Sequence, residues 1–107
     1  MSHLASTFSA LGDTTRFAIV ERLLKEGELS AGELQGVGDI SPPAISRHLK
    51  VLREANIIIQ RVDKQRRMYS VRANVVRDIN DWAMSYQQFW QGSLDRLAVA
   101  LEKGRKN

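Results

Sequence analysis

The stretch Ile40 to Ala55, ISPPAISRHLKVLREA, decides how the rest of the chain is read. Two adjacent prolines are tolerated in a helix only in its first turn, where the backbone N–H groups have no intrahelical partner. Ser41 stands before them as an N-cap, so a helix is expected to begin at Pro42. At about 100° per residue, Ile45, Leu49 and Leu52 form one stripe, and Pro43, Ser46, Arg47 and Lys50 gather roughly opposite. One face goes to a core and the other stays free.

Upstream, Asp13 precedes TTRFAIVERLLKE, whose apolar residues recur at helical spacing until Gly27, which predicts a helix from about Thr14 to Glu26. A short helix from Ser6 to Leu11 precedes it. Ser30 and Glu33 have the spacing of a capping box for another short helix, which Gly36 and Gly38 then break. A turn through Asp39 and Ile40 leads into the proline-started helix. Short helix, turn and longer helix with a polar face are the outline of a helix-turn-helix.

Downstream, Ile57, Ile59 and Val62, then Met68, Tyr69 and Val71, flank the polar stretch DKQR and predict a hairpin with a basic tip. No Asn-Gly or Gly-Gly dipeptide marks a two-residue turn, so a longer loop is expected. From Asn74 to about Lys103 the apolar positions recur every three or four residues, as in one long helix carrying Ile79, Trp82, Tyr86, Phe89, Trp90, Leu94 and Leu97. Thirty residues would reach ~45 Å, longer than a domain of this size is wide. The expected remedy is homodimerisation through this helix together with Leu4, Phe8 and Leu11 of the first one; aromatic residues of this kind are enriched at interfaces.

The 107 residues are expected to form one domain, with a core at 6–72, its hairpin at about 57–72, and a C-terminal dimerisation helix at 74–103. Net charge is +4, but residues 47–72 hold eight basic side chains against two acidic ones, net +6, leaving −2 for the remainder. A basic block on a neutral-to-acidic scaffold is the pattern of a surface that meets polyphosphate. The chain has no cysteine, so no disulfide or thiolate site is available. No apolar run approaches the ~18 residues of a membrane span, and MSHLASTF lacks a basic region followed by an apolar run, so a cytoplasmic protein with no membrane partner is expected. His3 and His48 have no acidic neighbour at helical spacing, and no glycine-rich phosphate loop is present, so no catalytic residues are assigned and no enzyme is expected.

LGDTTRFAIVERLL, ELSAGEL, ISPPAISRHLKVLREANII and RRMYSV together resemble the arsenic-repressor (ArsR/SmtB) family of winged-helix transcriptional regulators, over about residues 6 to 72. The resemblance implies a mainly α, dimeric winged helix-turn-helix fold with a small β-hairpin wing. It also implies a homodimeric repressor whose partner is double-stranded DNA carrying an inverted-repeat operator. Ser41, Pro43, Ser46, Arg47, His48, Lys50 and Arg53 then belong to the recognition helix, and Arg61, Lys64, Gln65, Arg66 and Arg67 to the wing. The residue chemistry agrees: Arg47 can bond guanine bidentately, Ser41 and Ser46 can bond base or phosphate, and Lys50, Arg53 and the wing cations suit phosphate. His48 is open between a groove contact and a brace of the turn, and Arg16 between a phosphate contact and an internal ion pair. Gln65 stands at the wing tip and is open to solvation.

Metal-sensing members resemble ELCVCDL where this chain has ELSAGEL, so Ser30 and Gly32 replace the thiolates. The terminal helix has no histidine to join Asp78 and Asp81, and zinc favours nitrogen and sulfur donors. No metal site and no cofactor are therefore expected. Two alternatives remain open: a small-ligand-responsive repressor with an effector pocket between the terminal helices near Trp82, Tyr86 and Trp90, and a protein-interaction module built on the aromatic helix. The sequence does not specify an effector.

Overall fold

In the computed structural model, which describes residues 3–38 and 40–105, helix α1 spans His3–Leu11 and α2 spans Thr14–Glu26. Helix α2 starts where a side chain takes over for a missing backbone acceptor. The Asp13 carboxylate caps α2 by accepting the Arg16 amide at 3.0 Å. Gly27, at φ 83°, ends α2 in a backbone conformation that costs glycine nothing, and its N–H reaches the Leu23 carbonyl at 2.9 Å.

The capping box forms: Glu33 N–H donates to Ser30 Oγ at 3.2 Å, and Ser30 N–H donates to Glu33 Oε1 at 2.9 Å. It launches one 3-10 turn, Glu33–Gly36, rather than an α-helix. Two glycines close together, Gly36 and Gly38, each unfavourable by about 1 kcal/mol against alanine, leave too little propensity to lengthen it. Helix α3 then runs Pro42–Glu54. The turn expected at Asp39 lies outside the described residues.

Helix α3 ends in a Schellman motif. Asn56 adopts φ 59°, its N–H reaches the Arg53 carbonyl at 3.0 Å, and Ile57 N–H reaches the Leu52 carbonyl at 3.0 Å. Leu52 and Ile57 are both fully buried, which supplies the apolar contact that accompanies this motif. The reversed chain enters strand β2, Ile58–Asp63, which pairs antiparallel with β3, Arg66–Val71.

The hairpin loop is Lys64–Gln65, since Asp63 is opposite Arg66. This corrects the expectation of a longer loop. Lys64 takes φ 59° while Gln65 does not, the φ pattern of a type II′ turn, whose twist suits a hairpin without requiring Asn-Gly. A third strand that no sequence pattern announced, β1 at Leu29–Ser30, adds to the other edge of β3 in the order β1-β3-β2.

Residues up to Val75 form one compact unit and those from Val76 onward a second. The first unit holds the core: Ile19, Val20 and Leu23 of α2, Leu34 of the 3-10 turn, Ile45, Leu49 and Leu52 of α3, and Ile57, Ile58 and Tyr69 of the sheet segment. Each such aliphatic contributes about 1.5–3 kcal/mol of transfer free energy on full burial.

The second unit corrects the single long helix expected over 74–103. Helix α4 spans Ala73–Met84 and α5 spans Gln87–Arg105. At the break the Ser85 hydroxyl donates to the Trp82 carbonyl at 2.6 Å, diverting an acceptor the helix would otherwise use. The Trp90 indole N–H donates to the Ala83 carbonyl at 3.3 Å, and Trp82 and Tyr86 meet edge to face with centroids 5.8 Å apart. No residue of α5 is buried.

Candidate nucleic-acid interface

The free face of α3 is built by its cap and its stripe. Ser41, at ψ 157°, accepts the Ala44 amide on Oγ at 3.4 Å, and Pro42 and Pro43 occupy the first two helical positions, both exposed. Ile45, Leu49 and Leu52 face the core. That leaves Ser46, Arg47, Lys50 and Arg53 exposed on the other side, as the sequence spacing required. None of these three cations forms an ion pair among the described residues. A fixed helix end carrying hydroxyls and unpaired cations can offer hydrogen bonds and charge to phosphate, and its arginine can reach a base edge.

His48 is half-buried and behaves differently from its neighbours. Its Nδ1 lies 3.3 Å from an Arg16 guanidinium nitrogen, and a guanidinium only donates, so Nδ1 is the acceptor of this contact. Arg16 also donates through Nε to the Ala10 carbonyl at 2.7 Å. Arg16 therefore ties the end of α1 to the middle of α3 by these hydrogen bonds, and it forms no ion pair among the described residues. The Asp13 carboxyl is held below its ordinary value chiefly by the Arg16 amide, with the nearby Arg16 charge acting in the same direction.

The wing divides by faces, because residues paired across antiparallel strands share a face. Leu29, Tyr69 and Gln60 are in register, as are Ile58 and Val71, and this is the inner face that covers the core. Val62 and Arg67 continue it toward the tip. Ser30, Met68 and Arg61 are in register on the outer face, as are Asp63 and Arg66. Tyr69 is buried, and its hydroxyl donates to Gln60 Oε1 at 3.0 Å.

The outer-face arginines are occupied. Arg61 forks onto Glu28 with two bonds of 2.7 Å, and Arg66 reaches Glu33 Oε1 at 3.2 Å. The Arg61 fork holds the Glu28 carboxyl below the usual glutamate range. The Glu33 carboxyl is lowered first by the Ser30 amide and hydroxyl, with Arg66 and Arg22 adding charge. Sequence reasoning missed Glu28 and Glu33: each lies 33 residues from its arginine, and no local pattern signals such a pairing. Lys64, Gln65 and Arg67 are exposed at the wing end, and neither Lys64 nor Arg67 forms an ion pair among the described residues.

Thus the structure brings Ser41, Pro43, Ser46, Arg47, Lys50 and Arg53 onto one free face, turns His48 partly inward, and sends the wing cations in two directions. Of the residues expected at a dimer interface, Leu4 and Leu11 of α1 are half-buried and Phe8 is exposed. In the second unit Ile79 and Trp90 are half-buried, while Trp82, Tyr86, Phe89, Leu94 and Leu97 are exposed, Phe89 to 74%. Among the described residues no three His, Cys, Asp or Glu side chains gather as metal ligands. No described helix is long and apolar enough to cross a membrane.

Residues 13–60, from the cap of α2 into β2, match the profile of "Bacterial regulatory protein, arsR family". The chain is 35% identical over 81 residues to the transcriptional repressor SdpR of Bacillus subtilis, covering 76% of this chain and 89% of that protein. It is 47% identical over 64 residues to the HTH-type transcriptional regulator Rv2034 of Mycobacterium tuberculosis, covering 60% of this chain and 59% of that protein. Among solved structures, the ArsR family transcriptional regulator RHA00566 superposes with a TM-score of 0.75 at 24% identity, over 84% of this chain and 98% of that one, a likeness of fold.

Proposed function

Because the chain belongs to the arsR family of bacterial regulatory proteins and has its winged helix-turn-helix fold, we propose that it is a sequence-specific DNA-binding repressor acting as a homodimer on an inverted-repeat operator, with no metal switch. The observation that carries this reading is the free face of α3, where Ser46, Arg47, Lys50 and Arg53 stand exposed behind a proline-fixed N-terminus and the cations form no ion pair among the described residues. Arg47 is the base reader, Lys50 and Arg53 hold phosphate, and the wing supplies affinity more than sequence choice.

Two features support the rest of the proposal. The exposed apolar residues of α5 call for a second surface, and a symmetric dimer would place two α3 helices about one turn of DNA, ~34 Å, apart. At the positions of the family's cysteines, the Ser30 hydroxyl is bonded to the Glu33 amide and Gly32 has no side chain. Neither offers a soft ligand.

Selection of bound fragments from a random duplex pool tests the reading. The expected product is an inverted repeat with half-sites one helical turn apart. Arg47→Ala should cost about 1–3 kcal/mol of affinity and relax preference at one position of each half-site. A protein that enriches no sequence overturns the proposal. Loss of preference on Lys64→Ala but not on Arg47→Ala would move base reading to the wing.

A further inference from the structure

We propose that Glu28 and Glu33 are positioning residues that hold Arg61 and Arg66 on the outer face of the sheet and away from DNA, so that the wing meets phosphate through Lys64 and Arg67. The inference rests on the DNA-binding reading above and narrows it to particular cations.

Geometry carries it in three steps. First, the Glu33 carboxylate is fixed before any arginine arrives, and Glu28 is carried beside the sheet by the chain. Glu28 immediately precedes β1, and Glu33 Oε1 already accepts the Ser30 amide at 2.9 Å within the capping box. Second, Arg61 satisfies Glu28 bidentately at 2.7 Å, the fork-to-carboxylate arrangement with the most restricted geometry available to an arginine. Third, the sheet separates the two groups of cations. Helix α3 packs on β2 and α2 on β3, against the inner face, and the register continues that face into Val62 and Arg67. DNA resting on the exposed side of α3 lies on the inner side of the sheet, where Arg67 points and from which Arg61 and Arg66 are turned away. Each outer arginine is also neutralised by its partner, so it presents no net charge to a phosphate.

The consequence is a count. The chain offers Lys50, Arg53, Lys64 and Arg67 to phosphate, four of the six phosphate-holding cations expected of the recognition helix and wing once Arg47 is set aside as the base reader. At about 0.9 released counterions per phosphate, a dimer should show a slope of log affinity against log salt of at most about −7 rather than about −11.

The test is that slope, measured between 50 and 200 mM KCl on a duplex the protein selects from a random pool. Arg67→Ala and Lys64→Ala should each make it shallower by about two per dimer, and Arg61→Ala and Arg66→Ala should change it by less than about 0.5. Glu28→Gln should release Arg61, raising affinity several-fold and steepening the slope. Glu28→Gln combined with Arg61→Ala should remove that gain, which a purely structural role of Glu28 would not do. An Arg61→Ala slope as shallow as that of Arg67→Ala, or a Glu28→Gln gain that survives in the double variant, overturns the positioning role while leaving the DNA-binding reading standing. A wild-type protein that selects no duplex overturns that reading, and this one with it.

Discussion

Leu52 and Leu97 are both helical leucines on an apolar stripe, yet Leu52 is fully buried and Leu97 is 55% exposed. The stripe of α3 is completed within its own unit by α2, the 3-10 turn and the sheet segment. The stripe of α5 finds no such cover among the described residues, and its Phe89, Leu94 and Leu101 are likewise exposed. A helix can thus be equally apolar for two reasons, to hold its own fold or to meet another surface, and periodicity does not tell them apart. Here the first unit carries the proposed polar reading face on an internally closed core, while the second carries exposed apolar surface for the proposed dimer.

The largest effect that could break this contrast is in the core. Leu52→Ala should destabilise the chain by about 2–5 kcal/mol, because it opens a cavity where α3 turns into β2, and Leu97→Ala should cost far less at protein concentrations where the chain is monomeric. Denaturant unfolding followed by far-UV circular dichroism measures both, and equal costs would abolish the distinction. Next in size is the paired substitution Leu94→Glu with Leu97→Glu, which should leave the first unit folded, shift sedimentation to the monomer and weaken operator binding by about 10²-fold or more through lost bivalency. An undiminished dimer would show that α5 is not the shared surface.

A smaller effect sharpens the description of the reading end. Ser41→Ala should cost about 0.5–1 kcal/mol in thermal unfolding. The low end is expected, because the capping bond is long at 3.4 Å and the two prolines already fix the first helical turn. Replacing both prolines by alanine in the Ser41→Ala background should raise that cost, since the cap would then be the remaining device that starts the helix.

The features legible in the sequence were those encoded within a few residues. Helix α2 was bounded by Asp13 and Gly27, α3 by Ser41, and the faces of α3 by the spacing of Ile45, Leu49 and Leu52. The Ser30–Glu33 box formed too, but it launched a 3-10 turn beside a two-residue strand, because pairing with Tyr69 and Met68 of β3 claimed Leu29 and Ser30. Three features required information from elsewhere. The Lys64 turn adopts a positive φ that its residue type does not announce, the α4–α5 break depends on hydroxyl and indole bonds across Ser85, and the arginine–glutamate pairs close loops of 33 residues. Charge counting therefore located a basic block in the sequence but could not say which of its members were already engaged.

The smallest predicted effect comes from acid and bears on the same point. The carboxyls of Asp13, Glu28 and Glu33 are lowered from ordinary values of 3.8, 4.5 and 4.5, and all three lie in the first unit. A carboxyl lowered by folding adds stability that is fully present above its unfolded value and is lost as pH falls through its folded value. Acidification from about pH 5 to pH 3 should therefore lower the melting temperature slightly, and Glu33→Gln should flatten part of that dependence. The Ser30 amide gives a local readout, because it donates directly to the carboxylate at 2.9 Å. Its proton chemical shift should titrate with a midpoint below 4.5 in the wild type and lose that titration in Glu33→Gln. Arg66→Ala should move the midpoint upward only modestly, since the Ser30 bonds outweigh the charge of Arg66. A large upward move on Arg66→Ala would mean that the wing arginine fixes the carboxylate, rather than the carboxylate, already held by Ser30, fixing the arginine.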